Sequence, residues 1–358
     1  MLGLLALVPL SVALRVLGAS ELLVFVVAGV AVIPLAHLLG FATEEIGLHS
    51  GPGIGGFLNA TFGNAVELII AFAALFRAGS LAAAGDLDGA AGLKHVVQAS
   101  ITGSIIGNIL LVLGLSLLLG GLKFRRQTFS AHAAMIQVTM MALAISALVL
   151  PELFDIAYGD RVQLGQNVSA AISILLLIGY FLGLVFSLHT HKDLFNPVTE
   201  ATEKPVWSKR FALAVLVGAT ALVALEAEIL VGAVEGATSS LGLTELFMGV
   251  MIIAIVGNAA EHGTAVLMAL KNKMDLSVGI ATISSAQIAL FVMPLLVLAS
   301  FAIGSPMTLA FEKFEVVAII LAVATVSMIA RDGESNWYEG VLLLLLYAII
   351  GVGFYFHP

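Results

Sequence analysis

Two short stretches of this chain carry the residues best suited to chemistry. Gly63-Asn64-Ala65-Val66-Glu67 and Gly257-Asn258-Ala259-Ala260-Glu261 match at four of five positions and lie 194 residues apart. Both sit within long apolar runs. A carboxylate at the centre of a bilayer costs about 2.5–3.5 kcal/mol on insertion scales, so it must be paired, solvated in a cavity or protonated. No Lys or Arg stands on either run near Glu67 or Glu261 to pair with it. A proton or a metal cation is then the natural partner, and two such carboxylates can be neutralised by one divalent cation or by protons. Asn64 and Glu67 are three apart, as are Asn258 and Glu261, so each pair shares a helix face. The Gly-Asn step gives each helix a weak point that can free backbone carbonyls. Two such faces opposed offer carboxylate, amide and backbone oxygens, a donor set for a hard cation, Ca²⁺ above all. One such glutamate alone could be a neutral packing residue; a matched pair is harder to read that way.

Other polar residues cluster around the two motifs in sequence. Gln98, Ser100, Ser104 and Asn108 follow the first motif, and Ser284, Ser285 and Gln287 follow the second. The glutamines can offer oxygens to the ion or hydrogen-bond neighbouring helices, and the serines can simply permit close helix approach. His262 has no counterpart in the first half, where Leu68 stands; with an ordinary pKa near 6.5 it can carry a proton, ligate metal or pack against a partner. Glu45-Ile46 and Glu228-Ile229 precede the two motifs, and with Glu226 they could line an entry path. Glu44 reads as a solvated helix end, Asp86 and Asp88 as a solvated loop, and His37 and His132 as structural.

These residues need a membrane to position them. The chain of 358 residues is 60% hydrophobic and only 11% charged, against about 25% charged in soluble domains. Its mean hydropathy is +1.11. A net charge of −8 gives no reason to expect nucleic acid, and the absence of Cys excludes disulfides and thiol chemistry. Spans of about 20 apolar residues fall at roughly 2–17, 21–48, 53–78, 92–120, 128–150, 165–189, 208–232, 241–270, 275–300, 312–330 and 336–356. This predicts an all-α polytopic membrane protein of about eleven transmembrane helices. With the N-terminus inside, the inner connections hold Lys123, Arg125, Arg126, Lys192, Lys204, Lys209, Arg210, Lys271, Lys273 and Arg331, and the outer ones only Arg15, Arg77, Lys94, Arg161 and Lys313. That excess fits a cytoplasmic N-terminus and an outside C-terminus.

Five spans separate the two motif helices, and an odd number inverts the second copy in the membrane. Inverted repeats are a mark of secondary transporters, with the binding site where the repeats meet. The predicted organisation is a leading transmembrane helix over 1–19, a first five-helix repeat over 20–190, a cytoplasmic linker over 191–207 containing Asn196-Pro197, and a second five-helix repeat over 208–358.

At the motifs the chain resembles the CAX-type cation/proton exchangers of the calcium/cation antiporter superfamily. Asn59 to Ile70 (NATFGNAVELII) looks like that family's first repeat motif and Gly257 to Val266 (GNAAEHGTAV) like its second. Gly40 to Glu45, Gln98 to Gly114 (QASITGSIIGNILLVLG) and Ala286 to Pro294 (AQIALFVMP) support the match. The resemblance implies alternating-access exchange of cytosolic Ca²⁺ for external H⁺, with Glu67 and Glu261 binding cation or protons and Asn64, Asn258, Gln98 and Gln287 beside them. It leaves His262, Glu45, Glu228, Ser104 and Ser284 as candidates for a proton relay or path. Some members of that family favour Mn²⁺ or other divalent ions. It leaves lipid, cation and proton as partners and room for a homo-oligomer, and the lack of a long N-terminal tail and of an extended acidic linker makes this chain look prokaryotic, placing it in a plasma membrane rather than a vacuole. The competing reading is a passive divalent-cation channel with the glutamates as a selectivity ring. An intramembrane enzyme is disfavoured, since no second nucleophile or organic-cofactor motif accompanies the carboxylates.

Overall fold

The computed structural model describes residues 2–50, 55, 58, 61–158, 161–191 and 204–357. The expected linker segment around Lys192, Asn196 and Pro197, and part of the first repeat motif from Asn59, lie outside the described residues.

The described chain forms eleven helices, in the order α1 Leu7–Val16, α2 Glu21–Ser50, α3 Ala65–Ala83, α4 Leu87–Lys123, α5 Ala131–Tyr158, α6 Val162–Thr190, α7 Lys209–Leu241, α8 Glu245–Leu270, α9 Met274–Ile303, α10 Lys313–Ile329 and α11 Trp337–Phe356. Nine are long and apolar enough to cross a membrane; α1, led by a 3₁₀ turn over Leu2–Ala6, and α10 are shorter. Their ends follow local chemistry. Ser208 and Thr244 accept the Phe211 and Phe247 amides at the starts of α7 and α8, and Asn336 with Glu339 forms a capping box on α11. Gly242 and Gly304, at φ +64° and +84°, end α7 and α9 in the left-handed conformation.

The longest helices do not run as uniform α-helix. Wide π turns interrupt α4 at Gly107–Val112, α8 at Met248–Ile253 and α9 at Ile288–Val292. Such turns recur at functional sites because they re-aim side chains within a continuous helix. The third span departs most from the sequence reading. A turn at Gly63-Asn64, the expected weak point, breaks the helix, so Glu67 stands in the first turn of α3. Gly and Asn are poor helix formers, and here they act together.

α2 and α7 make the most extensive helix pair, with α1 packed against both. α4 and α8 come closest to backbone contact: a Cβ on Gly103 would lie 2.1 Å from the Val250 carbonyl oxygen, and one on Gly249 2.5 Å from the Ala99 Cβ. The connections sort onto two faces. On one, Gln127–Thr128 (β1) pairs antiparallel with Glu334–Ser335 (β2), Arg126 pairs with Glu334, and Gln127 donates to the Ala269 carbonyl and Asn272. On the other, Gln98 reaches the Thr308 and Ala310 carbonyls. The six helices α5 to α10 lie between β1 and β2. An even number of crossings returns the chain to one face, so the short α10 crosses too.

Candidate cation site

Four helices bring their polar residues together. Glu67 enters from the first turn of α3, where the positive end of the helix dipole favours a carboxylate. Its Oε1 accepts hydrogen bonds from Ser104 of α4 and Asn258 of α8. Asn258 Nδ2 also lies 2.9 Å from the Ser104 hydroxyl and 2.8 Å from the Ala254 carbonyl oxygen. Glu261 sits one turn beyond Asn258 on α8, beside Ser284 of α9, with Glu67 near enough for the two carboxylates to interact. Asn64, at the break before α3, donates to Gln287 Oε1 of α9 at 2.8 Å. Gly257 makes the approach feasible: a Cβ there would stand 3.0 Å from Glu67 Cγ.

Glu67, Asn64, Ser104, Asn258 and Ser284 are all buried, and Glu261 is half-buried. No ion pair to either glutamate occurs among the described residues. Three buried oxygens at the cluster have no hydrogen-bond partner: Glu67 Oε2, Glu261 Oε2 and Asn64 Oδ1. They come from both repeat motifs. Among the described residues no group of three or more His, Asp or Glu side chains gathers as a metal site, so a cation held here needs amide and hydroxyl oxygens beside its two carboxylates. That suits a hard cation with a mixed oxygen shell.

Other sequence candidates lie apart. Gln98 is buried, but its amide, six residues before Ser104 on α4, is committed to the Thr308 and Ala310 carbonyls. Glu45 is buried near the end of α2 and accepts the Trp207 amide at 2.7 Å, while His49 Nε2 meets the Trp207 carbonyl at 2.7 Å. Glu228 is exposed. Its neighbour Glu226 is fully buried and accepts from Ser11 of α1 at 2.6 Å. His262 borders the cluster, its Nε2 3.1 Å from Asn108 Oδ1 of α4. Asp86, read as a solvated loop residue, caps α4 by accepting the Gly89 amide. Glu315 of α10, buried to 2% exposure with Oε1 unpartnered, escaped the sequence reading altogether. The Glu312-x-x-Glu315 spacing before an apolar run was its available signal.

Known proteins resemble this chain over nearly their whole length. The model of the sodium/calcium exchanger protein family matches residues 20–189 and 211–356. A Ca²⁺/H⁺ antiporter of Synechocystis is 45% identical, over 100% of this chain and 97% of its own. The Ca²⁺/H⁺ antiporter ChaA of Bacillus subtilis is 44% identical, over 97% and 96%. The solved structure of native YfkE superposes with a TM-score of 0.82 at 41% identity, covering 98% of both chains. The helix order, the paired motifs and these matches agree: this chain is an integral membrane protein of the sodium/calcium exchanger family, similar within it to the CAX-type cation/proton exchangers.

Proposed function

We propose that the chain is a secondary antiporter that exchanges Ca²⁺ for H⁺ by alternating access, with Glu67 and Glu261 binding either the cation or protons. The carrying observation is the trio of unpartnered buried oxygens, Glu67 Oε2, Glu261 Oε2 and Asn64 Oδ1, contributed by the two repeat motifs. Two carboxylates without a basic partner hold two negative charges that one Ca²⁺ neutralises. The same charges vanish when both carboxyls are protonated. A site that must be neutral to remain in a low-dielectric layer accepts one partner or the other, and that mutual exclusion is exchange. Ser104 and Asn258 hold Glu67 in place, Ser284 stands beside Glu261, and Asn64 and Gln287 supply amide oxygens from the opposite motif and helix. The names of the Synechocystis and Bacillus relatives support Ca²⁺ as the cation and H⁺ as its counter-ion. The basic face is taken as cytoplasmic, which puts the N-terminus inside and the C-terminus outside a prokaryotic plasma membrane. On this reading 20–190 and 208–358 are the inverted repeats, with 1–19 leading and 191–207 linking them.

Everted membrane vesicles test the reading. Acidifying the vesicle interior is expected to drive ⁴⁵Ca²⁺ uptake, and a protonophore is expected to abolish it. Uptake indifferent to the protonophore refutes proton coupling and favours a channel.

A further inference from the structure

Arg15 and Arg77 come from different helices and meet at one spot. Arg15 stands in the last turn of α1 and Arg77 within α3. A Cβ on Gly232 of α7 would lie 3.2 Å from Arg15 Nη2 and 3.5 Å from Arg77 Nη1, so both guanidinium groups crowd the same point on α7. We infer that this pair is a binding site for the phosphate of an anionic phospholipid, in the leaflet on the face opposite the basic one.

The argument starts from charge. Two like charges at one point repel, and at the edge of an apolar layer they are screened less than in water. Among the described residues neither guanidinium has an acidic partner. Two acids stand nearby in the fold. Glu21, the first residue of α2, lies over Gly236, one turn further along α7, and Glu235 is on α7 itself. Both are exposed and pair with neither arginine, so the two positive charges stay unanswered within ion-pair distance. A guanidinium presents a planar fork of donors that matches phosphate oxygens, and two forks can hold one phosphate. A zwitterionic headgroup would bring its own ammonium against the pair; an anionic one does not. Gly232 keeps the spot open, because any side chain there would displace both guanidinium groups.

The surroundings point to lipid rather than to a free anion. Both arginines are exposed, and their chain neighbours are exposed apolar side chains: Val16 at 80%, Leu17 at 81% and Phe76 at 59%. Apolar surface of this kind on a membrane protein packs against acyl chains. The turn between Val16 and Glu21 marks where the chain leaves the apolar layer, and Arg15 stands directly before it. Basic side chains near helix ends reach to the headgroup level, and basic pockets between helices bind anionic headgroups. Chain order agrees on the face. α2 and α3 cross between this turn and the end of α3, and four more crossings bring α7 to its end on the same side, opposite β1 and β2.

Occupation gives the pair its use. A phosphate held by both arginines ties α1 to α3 across α7, beside the extensive α2–α7 pair. The lipid thereby fastens the leading helix to the helix that carries Glu67.

Native mass spectrometry of the full-length protein in detergent, titrated with phosphatidylglycerol and separately with phosphatidylcholine, tests the inference. The parent is expected to bind phosphatidylglycerol at least tenfold more tightly than phosphatidylcholine. Arg15→Gln/Arg77→Gln is expected to remove that preference, and each single substitution to reduce it. Arg161→Gln, which alters an exposed arginine before α6 on the same face, is expected to leave the preference as it is. The substituted side chains are exposed, and an unchanged thermal midpoint without added lipid verifies the fold. A preference that survives in the double variant, equal binding of the two lipids by the parent, or displacement of phosphatidylglycerol by millimolar inorganic phosphate overturns the inference. The readout does not depend on transport, so failure of the antiport reading leaves it intact.

Discussion

Glu67→Gln is the sharpest perturbation of the central site, because the amide is nearly isosteric and Ser104 can still donate to its oxygen. What changes is charge. Two unit charges about 4 Å apart attract by about 4 kcal/mol at an effective dielectric constant of 20. A divalent cation doubles that to about 8 kcal/mol. Against this, the variant no longer buries a charged carboxylate, a saving of about 3 kcal/mol. The remaining loss of about 5 kcal/mol corresponds to more than a thousandfold in affinity, since about 1.4 kcal/mol is tenfold. Acid-driven ⁴⁵Ca²⁺ uptake at micromolar Ca²⁺ should therefore fall below detection, while the protein still purifies with its normal thermal midpoint. Glu261→Gln should do the same. If either variant, confirmed in the membrane at parental amount, keeps a tenth or more of parental uptake, the assignment of that carboxylate to the cation is refuted.

Three further outcomes follow from the geometry. Gly103→Ala forces a Cβ to 2.1 Å from the Val250 carbonyl, so α4 and α8 must separate by more than an ångström; exchange should be lost with a clearly lowered thermal midpoint, whereas Gly107→Ala, where an added Cβ meets nothing within 4 Å, should be mild. His262→Leu places in the second half the residue found at 68 and strips Asn108 of its ring partner; it should destabilise the protein by about 1–3 kcal/mol yet leave acid-driven uptake coupled to protons, as a protonophore control reads. Arg126→Ala removes an exposed ion pair to Glu334 and should shift stability by less than about 1 kcal/mol, measured by thermal unfolding in detergent.

The helices were legible because lipid leaves the sequence few options. A run of about 20 apolar residues in hydrocarbon must satisfy its backbone internally, so α2, α4, α6 and α9 lie close to where hydropathy puts them. The motif glutamates were legible for a related reason: an ionisable residue in such a run demands a partner. Periodicity could have carried the reading further. On α7 the buried positions Val223, Glu226, Leu230, Ala233 and Ala237 recur at three- and four-residue steps, and that stripe places Glu226 inward and Glu228, 200° around the helix, outward. Matching Glu228 with Glu45 by their following isoleucines compared letters and overlooked the stripe. Two features had no such signal. The π turns of α4, α8 and α9 arise where tertiary packing outweighs regular helical bonding, which local sequence does not encode. And the two Gly-Asn motifs, alike in letters, fold differently: Gly63-Asn64 breaks the chain before α3, while Gly257-Asn258 stays helical after the π turn of α8. Asn258, still in its helix, is free to bond Glu67 and Ser104, whereas Asn64, at the break, is turned to Gln287. The pairing visible in sequence is thus realised as an unsymmetrical site, in which Glu67 is held by two side chains from α4 and α8 while Glu261 only neighbours Ser284. That asymmetry makes Asn258→Ala the telling comparison. It should impair cation exchange more than Asn64→Ala, because Asn258 alone touches a motif carboxylate, and equal loss in the two variants, read as initial ⁴⁵Ca²⁺ uptake rates, contradicts the arrangement.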